Sequence, residues 1–149
     1  MSNYVCTREN HIIMVMNQCI LCAIDFEDPS FQALHWSINM AQKLKVHLTI
    51  LNTYRLNQPV NDGGFVKMKR KMEEEANGQF LRIERDILDG KGISFDFKSE
   101  VGFVSDRVEI HARKKQILFF VVGKKITQRN ADTFNDLLDH ISVPLVIVP

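Results

Sequence analysis

The chain has no long hydrophobic run, no excess of charge of either sign and little cysteine, and each shortage removes a class of protein. Apolar stretches such as Ile12 to Met16 and Ile117 to Gly123 fall far short of the roughly eighteen residues that a membrane-spanning helix needs. Lys and Arg number 19 against 18 Asp and Glu, a net charge of +1, which argues against bulk electrostatic attachment to DNA or to an anionic membrane. The three cysteines, Cys6, Cys19 and Cys22, are too few and too unevenly placed for a disulfide framework, and they suit a reducing compartment. No cleavable hydrophobic leader follows Arg8 and Glu9, so the expected location is the cytoplasm. With 7 glycines and 4 prolines there is no linker, internal repeat or low-complexity segment. A nucleophile elbow and a Walker loop are both missing, and His11, His35, His47, His111 and His140 show no metal-ligand spacing.

What remains is the composition of one globular domain: 149 residues, 45% of them apolar, enough to hide about 70% of the unfolded surface. Short apolar runs alternate with segments of helical period, the pattern of a parallel sheet with crossover helices. Cys19 to Ile24 is continuously apolar, as a strand covered on both faces should be, and ends at Asp25. Glu27, Asp28, Pro29 and Ser30 predict a helix entrance, and Phe31, Leu34, Ile38, Ala41 and Leu44 a buried stripe. Val46 to Tyr54 predicts a second strand and Arg55 to Gly64 a loop. Phe65, Met68, Met72, Ala76, Phe80, Ile83 and Ile87 describe a long amphipathic helix ending near Gly90 or Gly92. Ile93 to Lys98 alternates like an edge strand, and a helix follows Gly102 through Val104 to Lys115. Ile117 to Gly123 reads as a central strand whose final glycine lets the backbone turn or approach a ligand. Thr133 to His140 completes the helices and Pro144 to Val148 the strands. The expected fold is therefore α/β, an open doubly wound five-stranded parallel sheet with helices on both faces, with ligands at the C-terminal strand ends.

Ile20 to Phe26, the Ser30 helix start, Gly102, the Val121-Val122-Gly123 strand end and the closing Val143 to Val148 together resemble the universal stress protein family. The likeness spans residues 16–149 and leaves 1–15 as an N-terminal extension. It implies an adenine nucleotide alpha hydrolase-like fold. In ATP-binding members of that family, G-x2-G-x9-G-(S/T) follows the fourth strand so that bare backbone can wrap the phosphates. Here Gly123 matches the first glycine, Ile126 occupies the second position, Ala131 and Asp132 align with the closing pair, and no glycine follows Gly123. The base-binding half of the pocket is better matched. Asp25 corresponds to the family's strand-one acid, with Ala23 and Ile24 before it, Thr53 stands for a strand-two valine, and Val122 and Gly123 form the strand-four pair.

The resemblance thus implies a non-catalytic binding or regulatory module of the stress response with no required cofactor or metal. A small anionic or nucleotide ligand is expected in a vestigial pocket of Ala23, Ile24, Asp25, Thr53, Val122, Gly123, Lys124 and Lys125. The alternatives are a member that binds adenine nucleotide weakly and hydrolyses it slowly, and a Mg²⁺-dependent hydrolase using Asp25, Glu27 and Asp28. Lys124 and Lys125, with Arg129 near, stand where phosphates would lie and are expected to form either an anion site or a solvated turn. The Cys19 and Cys22 pair lies within a strand, where residues three apart face opposite sides, so core packing is expected in place of redox or metal chemistry. Leu145, Val146, Ile147 and Val148 form an uncharged terminal strand that needs cover. The family's habit implies a homodimer through that strand, and the alternative cover is the tail carrying Ile12, Ile13 and Val15.

Overall fold

A computed structural model describes residues 18–28, 31–56, 63–129 and 131–149. The expected tail contact of residues 12–15, the helix start at Pro29 and Ser30 and most of the loop after Arg55 lie outside them, as do the side chains of Arg129, Ala131 and Asp132. Five strands, β1 (Gln18–Ala23), β2 (His47–Tyr54), β3 (Phe95–Val101), β4 (Gln116–Gly123) and β5 (Leu145–Val148), form one sheet in the order β3-β2-β1-β4-β5. Every neighbouring pair is parallel. The chain order reverses between β1 and β4, which makes the crevice at their C-terminal ends the topological switch point.

The helices are α1 (Gln32–Leu44), α2 (Gly64–Ile83, continued by a π-helical turn, Glu84–Leu88), α3 (Val104–Lys114), α4 (Lys124–Arg129) and α5 (Ala131–His140). Alternation along β1 sends Ile20, Cys22 and Ile24 into one core with Leu34 and Ile38 of α1 and Phe80 and Ile83 of α2. Cys19, Leu21 and Ala23 enter a second core with Val108 of α3 and Leu137 of α5. The two cysteines are therefore buried on opposite faces. Burial pushes the Cys22 thiol up to about 12, with a hydrogen bond from Ser37 pulling the other way. Phe80 stacks on Phe97 with ring centroids 4.2 Å apart, which anchors α2 to the edge strand β3. On the other face Glu109 of α3 accepts the Ser142 N–H at 2.6 Å, and the Ser105 hydroxyl donates to Asp136, tying α3 to the last helix and its exit.

Strand β4 carries an irregularity invisible to periodicity. Cys19 pairs with Ile117 but Ile20 pairs with Phe119, so the register slips by one residue. Leu118 and Phe119 consequently both pack toward the first core, as at a β-bulge, and Phe119 meets Trp36 of α1 edge-on at 5.7 Å.

Several expectations need correction. The first helix begins at Gln32, preceded by Phe31 in the left-handed region (φ 45°), so Phe31 is not part of its stripe. The Asp25 carboxylate accepts the Glu27 N–H at 2.9 Å and the Asp28 N–H bonds Asp25 O at 3.1 Å, a local turn that competes with helix. Leu44, at the last turn, is 43% exposed. Helix α2 buries only Ala76, Phe80 and Ile83 of its predicted stripe, while Phe65 is 47% exposed. The first half of the helix is held instead by the Tyr54 hydroxyl at the end of β2, which donates to Glu73 Oε1 at 3.2 Å. Residues after Gly123 enter α4 directly, and the final helix starts at Ala131 instead of Thr133. No described helix is long and apolar enough to cross a membrane.

Candidate functional site

At the switch point the ends of β1 and β4 enclose a cavity of 220 Å³. Ala23, Ile24 and Asp25 form one wall and Gly123, Lys124 and Lys125 the facing one. Six of the eight predicted pocket residues therefore meet. Thr53 and Val122 are not on its lining: Thr53 pairs with Glu100 at the far side of β2, and the Val122 side chain is fully buried in the second core. The remaining lining comes from Asp28, Phe31, Gln32, Ile126, Val148 and Pro149 among others. Of these Gln32 and Pro149 gave no signal in the sequence, because a residue at a helix start and one past the last strand reach the switch point only through tertiary packing.

The cavity's charges neutralise one another. Lys125 Nζ lies 3.2 Å from Asp28 Oδ1, and the Asp28 side chain is only 14% exposed. Asp25 and Asp28 stand against Lys124 and Lys125, so the wall carries two charges of each sign and is no concentrated anion trap. Lys124 and Lys125, expected to form either an anion site or a solvated turn, lie in the first turn of α4, and Lys125 is engaged with Asp28 within the chain.

Gly123 also differs from expectation. It does not have positive φ, unlike Gly63, Gly90, Gly92 and Gly102, and a Cβ placed on it would sit 3.9 Å from the Ala33 Cβ, an ordinary contact. Neither conformation nor crowding by protein requires a glycine there. Ile126 brings a β-branched side chain to the cavity lining. Among the described residues no group of three or more His, Cys, Asp or Glu could hold a metal ion.

The outer strand β5 pairs only with β4 among the described strands. Its side chains are largely used within the chain: Val146 and Val148 pack on the first core, Leu145 on the second, and Ile147 is 39% exposed.

The family model for the universal stress protein family matches residues 16–149. The chain belongs to that family. Solved structures agree on the fold. Universal stress protein UspA from Lactobacillus plantarum superposes with a TM-score of 0.70 at 17% identity, covering 90% of this chain and 99% of that one. A universal stress protein in complex with cAMP gives 0.59 at 18% identity over 89% and 97% of the two chains. The Archaeoglobus fulgidus universal stress protein in complex with dAMP gives 0.55 at 13% identity over 91% and 99%. No curated protein sequence matches the chain. Open α/β sheets bind ligands in the crevice at a topological switch point, which is where this cavity lies.

Proposed function

We infer that this universal stress protein is a binding or regulatory module whose switch-point cavity is non-catalytic, takes a small ligand and excludes a nucleoside triphosphate. One observation carries the reading: the chain leaves β4 straight into α4, with Ile126 and the Lys125–Asp28 pair on the cavity wall. A triphosphate needs several backbone N–H donors free of Cβ crowding and a net positive surround. This wall offers a β-branched side chain and balanced charge. The cavity volume of 220 Å³ also falls below the roughly 300 Å³ at which drug-sized ligand pockets begin.

Calorimetric titration with ATP and Mg²⁺ tests the reading. No heat of binding is expected at millimolar nucleotide, and a micromolar affinity would overturn it. The second reading, weak binding of an adenine nucleotide with a single phosphate, is favoured by the neighbours solved with cAMP and dAMP. Parallel titrations with these two ligands distinguish it, since it requires binding to them that ATP does not match.

The molecule is a cytoplasmic homodimer in this reading, joined along β5. An apolar, uncharged strand with one edge unpaired among the described residues is a template for its own twin across a two-fold axis. Light scattering at micromolar protein should return twice the chain mass of 17.2 kDa, and a single-chain species alone would refute the dimer.

A further inference from the structure

At the opposite end of the sheet from the switch-point cavity, the first residue of β2 meets the residues that open β3. His47 Nδ1 lies 2.7 Å from Ser94 Oγ, and His47 Nε2 lies 2.7 Å from Asp96 Oδ1. The Thr49 hydroxyl donates to the same carboxylate oxygen at 2.7 Å. Strand register explains the grouping: Thr49 pairs with Asp96 across the β2–β3 ladder, and His47, two residues before Thr49, shares its face. A carboxylate accepting from Nε2–H selects the tautomer in which Nδ1 is the acceptor, so the Ser94 O–H is the donor on that side. Acid, imidazole and hydroxyl then stand in the sequence required of an activated serine, where the acid orients the base and the base takes the hydroxyl proton.

The surroundings fit that chemistry. Burial opposes ionisation of Asp96, but hydrogen bonds from His47 and Thr49 and the charge of Lys115 outweigh it and hold the carboxyl well below its usual range. Ser94 is exposed and His47 half-buried, and both line a cavity of 420 Å³. That size falls in the range of roughly 300–1,000 Å³ typical of small-molecule sites. Lys45, Gly92 and Ile93 line the same cavity, and the Lys45 ammonium is the charged donor on that lining for a developing oxyanion.

We propose that Ser94, His47 and Asp96 form a second site, separate from the switch-point cavity, at which Ser94 acts as an acyl-accepting nucleophile toward small carboxylic esters. Ser94 Oγ forms a bond to the ester carbonyl carbon while His47 Nδ1 takes its proton. The tetrahedral adduct expels the alcohol oxygen, which leaves with that proton, and an acyl-serine remains. Water, deprotonated by His47, attacks the acyl carbon, and the carboxylic acid departs as Ser94 recovers its proton. This site does not depend on what the switch-point cavity binds.

The test is reaction of the full chain with a fluorophosphonate probe, which forms an oxygen–phosphorus bond at an activated serine and releases fluoride. Tandem mass spectrometry locates the label, and p-nitrophenyl acetate hydrolysis gives a second readout. One label per chain is expected at Ser94, with a burst of p-nitrophenol. Both should vanish in Ser94→Ala and slow by roughly a hundredfold in His47→Gln and in Asp96→Asn, the size of a lost general base or its orienting partner. A hydrogen-bond clasp that merely pins β3 to β2 would lower the melting temperature on substitution without these signals. Absence of label at Ser94 in the folded wild-type chain, or labelling at an unchanged rate in a folded Asp96→Asn or His47→Gln variant, overturns the proposal.

Discussion

Gly123→Ala should stabilise the protein, and the size of the gain can be worked out at the site. Because Gly123 lacks positive φ, alanine adopts its backbone conformation without strain, and the new Cβ meets the Ala33 Cβ at 3.9 Å, the distance of an ordinary packing contact. Restricting the unfolded chain at a compatible position is worth about 0.4–1 kcal/mol. A partly buried methyl group adds at most about 0.8 kcal/mol. The expected net gain is about 1 kcal/mol, which for a chain of this size raises Tm by roughly 2–4 °C. Gly102→Ala is the control. Gly102 has φ +131°, and a Cβ there would lie 3.1 Å from Arg107 Nε, so the same substitution should destabilise by about 1 kcal/mol or more. Differential scanning calorimetry of the two variants beside the wild type measures both signs. A fall in Tm for Gly123→Ala would refute the argument, because it would mean that the strand end requires a conformation or a clearance that the geometry denies.

Cys19 and Cys22 should resist alkylation in the native protein. Burial raises both thiols, Cys22 to about 12, so at about pH 8 they stay protonated and unreactive, and mass spectrometry should find them modified only after unfolding. Asp96→Asn should destabilise by about 1–3 kcal/mol at neutral pH through the loss of charge-assisted bonds from His47 and Thr49. A carboxyl whose folded-state pKa is depressed contributes stability above its unfolded value and loses it as pH falls through the folded one. The gap between wild type and variant in urea denaturation should therefore close progressively below about pH 4. Leu137→Ala should cost about 2–5 kcal/mol by equilibrium unfolding, since that side chain is fully buried between α5 and the second core.

The two candidate sites differ in how far they could be read before folding. The residues of the switch-point cavity lie at the ends of two apolar runs, Cys19 to Ile24 and Ile117 to Gly123, and the rule that such sheets bind ligands at their C-terminal strand ends was enough to bring Asp25 and Gly123 together. Thr53, named only through the likeness to the family's strand-two valine, is not on that lining and pairs with Glu100 across the β2–β3 ladder. His47, Ser94 and Asp96 left no trace at all. Forty-odd residues separate His47 from the other two, and the spacing that matters is measured across the β2–β3 ladder rather than along the chain.

By itself, the order of residues determined the number and sequence of strands and the two-sided burial of β1, which rest on local hydrophobic period, and the family, which rests on the likeness of residues 16–149 to its members. Tertiary structure alone decided the slip between Cys19 and Ile20, the short helix that follows Gly123, the shallow burial of the first half of α2 and the pairing of Lys125 with Asp28. These depend on which surfaces meet when the layers close. A periodic pattern records which side of an element is apolar but not the neighbour it finds there.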